Sequence, residues 1–203
     1  MKEQFQDSDE IIEQIRVLVE QGDFTLGKAV NDLEEEFKAV TDCSFAIGVG
    51  SGTDALYVSM KALGIGPGDE VIVPEISWIA TANVIKYCGA EPVFSDVRLE
   101  DWNLDPNTIE ESITSRTACI FPVHLYGHPA DMDSINNIAL KHNLMVVEDA
   151  APSVGSRYQD KPPGIFGKAA GFSFQGAKML ATGQGGMFVT DDDKVFERAV
   201  SIY

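Results

Sequence analysis

Four short stretches hold residues whose types and spacing suit chemistry. The first is Phe172-Ser173-Phe174-Gln175-Gly176-Ala177-Lys178-Met179-Leu180, followed by the glycine-rich Thr182-Gly183-Gln184-Gly185-Gly186. A lysine among Phe, Ala, Met and Leu is unusual, because an ammonium is costly to remove from water. Partial burial favours the free amine, and a free amine attacks a carbonyl as a Schiff-base nucleophile. The competing reading is a surface lysine whose stem lies on apolar neighbours. The second is Gly48-Val49-Gly50-Ser51-Gly52-Thr53-Asp54, a strand that runs through glycines into a helix. It lacks the spacing of G-x-G-x-x-G and the Gly-Lys-Ser/Thr of a P-loop. A single phosphate held by Ser51, Gly52 and Thr53 at a helix N-terminus fits it better; a plain turn with a Ser or Thr cap is the alternative.

The third stretch is Pro74-Glu75-Ile76-Ser77-Trp78-Ile79-Ala80-Thr81. Trp78 directly follows an expected strand and offers a flat face for a planar ring. A core tryptophan is the alternative. The fourth is Val146-Val147-Glu148-Asp149-Ala150-Ala151. Asp149 ends an apolar strand, where burial raises the pKa of an unpaired acid. A protonated ring nitrogen would supply its partner and make that ring an electron sink; a cap on the next loop is the alternative. Together the four stretches ask for one ligand with a phosphate, a flat ring, a basic ring nitrogen and an aldehyde. Pyridoxal 5′-phosphate has all four. His124 and His128 lack convincing partners, so no metal site is expected.

The elements that must position these residues follow from periodicity. Strand-like runs occur at 45–49, 70–73, 92–95, 117–122 and 144–148, with helical patterns at 53–63, 80–88, 108–113 and 132–142 between them. That alternation predicts an α/β fold with three α/β/α layers and a mixed, mostly parallel sheet. The strands expected at 171–174 and 186–190 have only a loop between them, so this part is read as antiparallel. A helix starts at Asp192. Residues 8–21 and a second helix marked by Leu33 and Phe37 form an N-terminal helical segment, placed at 1–40. Phe24–Gly27 reads as a short apolar turn between the two helices. Residues 41–203 form the expected large domain. In such sheets ligands gather at the carboxyl ends of the strands, where all four stretches fall.

Bulk properties exclude other classes. The chain has 203 residues, enough for one sizeable core, and carries a formal charge of −17. An acidic surface repels phosphates, so no nucleic-acid partner is expected. No apolar run approaches the roughly 20 residues of a membrane span, and the first residues lack a signal-peptide core. A cytoplasmic location is the expectation. Cys43, Cys88 and Cys119 have no CxxC spacing and read as reduced core residues. The first helix, with few neighbours to pack on, is expected to meet a partner subunit.

The order Gly-Ser-Gly-Thr-Asp-Ala-Leu, Gly-Pro-Gly-Asp-Glu-Val-Ile-Val-Pro, Trp-Ile-Ala-Thr-Ala-Asn, Pro-Val-His-Leu-Tyr-Gly, Glu-Asp-Ala-Ala and Phe-Ser-Phe-Gln-Gly-Ala-Lys resembles the DegT/DnrJ/EryC1/StrS family. These are pyridoxal-phosphate sugar aminotransferases of the aspartate aminotransferase fold. The resemblance runs from about Gly22 to the last residue. It implies Lys178 as the lysine bound to the cofactor and as general base. It implies Asp149 as partner of the ring nitrogen, Trp78 as the stacking ring, and Gly52, Thr53 and Ser173 as the phosphate holders. It also implies amino transfer, usually from glutamate, to a keto group of a nucleotide-linked sugar, in a homodimer. Two departures stand out. Pro152 occupies a position where the family usually has Gln, and proline donates no side-chain hydrogen bond. Family chains are also longer, so the small C-terminal domain is expected to be missing here. A truncated or regulatory member without activity is the alternative; a sugar dehydratase branch would replace Lys178 with histidine.

Overall fold

The computed structural model describes residues 7–22 and 26–203, so the apolar turn read at 24–27 lies partly outside it. The elements are α1 (Ser8–Gln21), α2 (Lys28–Thr41), β1 (Phe45–Val49), α3 (Gly52–Ala62), β2 (Glu70–Pro74), α4 (Ile79–Tyr87), β3 (Glu91–Ser95), α5 (Pro106–Ile109), β4 (Thr117–Ile120), α6 (Met132–His142), β5 (Met145–Asp149), β6 (Ala169–Ser173), β7 (Gly186–Thr190) and α7 (Asp193–Ile202). The strands form one sheet in the order β1-β7-β6-β5-β4-β2-β3. Neighbours from β6 to β3 pair in parallel. β7 alone is reversed, pairing antiparallel with both β1 and β6.

Helices cover both faces, as the unbroken apolar runs of parallel strands require. The period-two alternation of the strands sends Val71, Val73 and Val147 toward Leu56 and Met60 of α3 and Val84 and Ile85 of α4. Their neighbours Ile72 and Val146 point the other way, into Ile109 of α5 and Met132 and Ile135 of α6. α7 joins the α3 side through Val195 and Ala199. α2 joins the α6 side, where Phe37 meets Phe172 and Phe174 edge-on at 5.0 and 5.5 Å. α1 is different: it buries no side chain, and Ile11, Ile12, Ile15 and Val19 face solvent. The three cysteines are free and buried.

Three elements differ from the sequence reading by two residues or more at an end. The helix expected from Thr108 begins at Pro106, because Asp105 accepts from the Asn107 amide and proline suits the first helical position. It continues to Ser112 only as a 3-10 turn. The run expected to Pro122 stops at Ile120. β6 begins earlier, at Ala169, where the alanines and glycine lack the β-branched signature of a strand.

Candidate active site

Six elements deliver side chains to one edge of the sheet. β1, β2, β4, β5 and β6 all end there. Reversed β7 begins there, with Gly186 opposite both Val49 and Ser173. The edge opens into a cavity of about 540 Å³. Its wall includes Ser51, Gly52, Thr53, Trp78, Asp149, Ser173 and Lys178, all singled out from the sequence. Pro152 lines it too.

The β1–α3 corner is built by close approach. A Cβ on Gly52 would sit 2.6 Å from Ser173 Cβ, and one on Gly186 would sit 2.4 Å from the Ser51 carbonyl oxygen. Glycine at both positions therefore lets three strands and the helix start meet. Ser51 caps α3 by accepting from the Asp54 amide at 3.1 Å, and its hydroxyl donates to Asp54 Oδ2. The capping alternative is thus real for Ser51, while the first-turn amides of Gly52 and Thr53 are left for another acceptor. Ser173, buried at the end of β6, lies against that corner. A helix N-terminus beside two hydroxyls and a glycine has the donors that one phosphate needs.

Asp149 is buried at the end of β5 on the α3–α4 side. Its Oδ2 accepts from Thr81 Oγ1 at 2.7 Å and its Oδ1 from the Ala151 amide at 3.2 Å. Burial pushes the carboxyl above the ordinary range, and the Thr81 hydroxyl, the Ala151 amide and Lys178 pull against that rise. A carboxylate so placed calls for a cation.

Lys178 sits on a pinned loop. Its amide donates to Gln175 O, Gly176 N to Gly183 O, Thr182 N to Phe174 O and Phe174 N to Gly185 O. The Gln175 side chain accepts from the Ala177 amide. The apolar neighbours do not wrap the lysine as its sequence context suggests. Lys178 is half-buried, whereas Met179 is 75% exposed and Leu180 40%. Lys178 forms no salt bridge among the described residues and lines the cavity. Trp78 is 78% exposed, so the core-tryptophan alternative does not hold. It is the N-cap residue of α4 and stands at the cavity wall.

Sequence reasoning missed three features. Thr81 is one. Tyr126 is another: it lines the cavity, is 83% exposed, and adopts φ 52° and ψ 22°. That left-handed conformation costs a non-glycine residue about 1–2 kcal/mol. The surrounding loop holds it there through Leu125 N to Asn103 Oδ1 and Ser156 Oγ to Gly127 O. The third is a pair. His124 does have a partner: its Nε2 lies 2.9 Å from Glu148 Oε2, with both side chains buried. Its Nδ1 accepts from the Ala130 amide, so the proton facing Glu148 is on Nε2. Among the described residues no group of three His, Cys, Asp or Glu is placed to hold a metal ion.

Sheet order, one reversed strand and a cavity at the carboxyl edge define the fold type I transferase architecture. A model described as the DegT/DnrJ/EryC1/StrS aminotransferase family matches residues 6–203, and the chain belongs to that family. It is 47% identical over 169 residues to the GDP-perosamine synthase of Caulobacter vibrioides, across 83% of this chain and 46% of that one. The crystal structure of S. venezuelae DesV in complex with a ketimine intermediate superposes with a TM-score of 0.93 at 41% identity, over 98% of this chain and 54% of that one. NtdA from Bacillus subtilis with bound cofactor PMP gives 0.91 at 32% identity, over 96% and 44%. The chain spans about half the length of the curated relatives it matches.

Proposed function

We propose that this chain is the cofactor-binding half of an enzyme that transfers an amino group, with glutamate as donor, to a keto group of a nucleotide-linked sugar. The cofactor of this reading is pyridoxal 5′-phosphate, held by residues 41–203. The observation that carries it is the meeting of Lys178 and buried Asp149 at one cavity whose rim holds a phosphate cradle and an exposed indole. The relatives support the substrate class: one makes a GDP-linked amino sugar by name, and one binds PMP.

The residues fit the group. Gly52, whose missing Cβ leaves the approach to Ser173 open, would hold the phosphate together with Thr53 and Ser173. Trp78 would lie on the ring, and Asp149 would meet the ring nitrogen. When bound, pyridoxal phosphate supplies a carbonyl for amines and a heterocycle that draws electrons from the adjoining carbon. Asp149, buried and in need of a cation, would keep the proton on that ring nitrogen. Lys178 Nζ would supply the amine that tethers the group, and the same amine, when free, would serve as the base that carries a proton between carbons. The pinned loop fixes the Lys178 backbone beside the cavity. The homodimer is part of the same proposal, and the uncovered apolar side of α1 supports it. No helix among the described residues is long and apolar enough to cross a membrane, which suits a cytoplasmic site of action.

The test is a half-reaction. Pyridoxal phosphate added to the chain should give a visible absorption band distinct from the free cofactor. Glutamate should convert it to the amine form and release one 2-oxoglutarate per cofactor. A band that never responds to glutamate supports a non-catalytic member instead. No band at all overturns the reading.

A further inference from the structure

Two hydroxyls stand behind Asp149 on the α4 side. Thr81 is 1% exposed and lies in the first turn of α4. Its Oγ1 is 2.7 Å from Asp149 Oδ2 and 2.7 Å from Ser77 Oγ. A hydroxyl has one proton to give. That of Thr81 goes to the carboxylate, so the Ser77 proton must go to Thr81, and the chain of bonds runs one way from Ser77 to Asp149. A threonine near a helix start can turn its hydroxyl to a nearby backbone group. Thr81 instead reaches a residue 68 positions away in sequence.

We propose that Thr81 is a positioning residue: it holds the Asp149 carboxylate in line with the ring nitrogen of the cofactor, and Ser77 sets the direction of the Thr81 hydroxyl. This rests on the pyridoxal phosphate reading. The carboxylate has one contact on each oxygen, Thr81 on Oδ2 and the Ala151 amide on Oδ1, and two contacts fix its plane. Without Thr81 only the longer Ala151 contact remains among the described residues. α4 makes the arrangement more telling. Trp78 is its N-cap residue, and the Thr81 amide donates to Trp78 O at 3.0 Å. One helical turn therefore carries both the indole that would meet the ring and the hydroxyl that holds the acid. A shift of α4 would move both together.

The sign of the pH effect follows from the groups around the acid. Lys178 lies on the loop after β6 and His124 on the loop after β4, with the Thr81 hydroxyl on α4, the Ser77 hydroxyl just before it and the Ala151 amide beyond β5. Glu148, next in the strand, faces the opposite side of the sheet. Tyr126 is the other titratable group of the cavity wall. The Thr81 hydroxyl stabilises the ionised carboxylate, so its loss raises the pH at which Asp149 ionises.

The experiment compares the full chain with Thr81→Val, Thr81→Ser and Ser77→Ala. One readout is the affinity for pyridoxal phosphate across pH. The other is the Asp149 carboxyl titration, followed by carbon NMR without cofactor. Thr81→Val should weaken binding at neutral pH on the order of tenfold or more. It should also move the acid limb of binding and the Asp149 titration to higher pH. Thr81→Ser should restore both, and Ser77→Ala should shift them the same way by less. If the valine variant does not fold, Thr81→Ala replaces it in the same comparison. A wild-type chain that borohydride labels at Lys178, alongside a Thr81→Val chain with unchanged affinity and titration, overturns the positioning role alone. A wild-type chain with no adduct at Lys178 overturns the cofactor reading and this proposal together.

Discussion

Glu148 and Asp149 are neighbours at the end of β5, both buried, on opposite faces of the sheet. Glu148 accepts from the Gly164, Phe166 and Gly167 amides at 2.7–2.8 Å and from His124 Nε2 at 2.9 Å. A carboxylate offers about four acceptor sites, and here the protein fills them all. Asp149 receives one hydroxyl and one amide and borders a cavity of about 540 Å³. The difference separates structure from chemistry at one residue's spacing. The saturated acid ties the 164–167 loop and the His124 loop to the central strand. The unsaturated one is left for a ligand that brings its own N–H.

The sharpest way to break this comparison is to neutralise each acid in turn. Asp149→Asn should slow the glutamate half-reaction about a hundredfold to a thousandfold, since a preorganised charge at the reacting ring is lost. Its effect on the empty protein should be of opposite sign. Burial raises the Asp149 pKa in the folded state, so the native chain holds that proton more tightly than the unfolded one. The acid's contribution to stability is therefore present at low pH and lost as pH rises from the ordinary carboxylate range through the raised value. Asp149→Asn should melt higher than wild type at neutral pH without cofactor, and the gap should close on acidification. A variant that melts lower at neutral pH would place Asp149 with Glu148.

Glu148→Ala should behave in the reverse manner. It strands three amides and His124 in the interior and should cost about 3–5 kcal/mol of stability in denaturant titrations. Whatever fraction remains folded should still bind pyridoxal phosphate. Smallest is Trp78→Ala. An indole that is 78% exposed contributes little to folding, so stability should change by no more than about 0.5 kcal/mol. Cofactor affinity should drop by about 1 kcal/mol, measured by equilibrium titration, because the stacking face is gone.

Much of this site was legible in the sequence because its signals are local. Strand runs ending in glycine, tryptophan or aspartate, and a lysine on a glycine-rich loop, each announce themselves within a dozen residues. The strand periodicity likewise located seven strands and the reversed pair. What stayed hidden depends on pairing across the chain. Thr81 reads as an ordinary helical threonine until Asp149 is beside it. Glu148 and His124 are 24 positions apart and look like two unrelated polar residues in apolar runs. The exposed Met179 and Leu180 show the opposite error, since apolar type alone does not say which way a loop turns. Tyr126 carries no local mark except the glycine after it.

The most direct measurement is borohydride reduction of the chain mixed with pyridoxal phosphate, followed by peptide mapping, with Asp149→Asn run in parallel. Wild type should carry the reduced adduct on Lys178, and the variant should carry less at the same cofactor concentration. An adduct spread over surface lysines, with equal labelling of wild type and variant, would contradict the pairing of Lys178 and Asp149 across one cofactor.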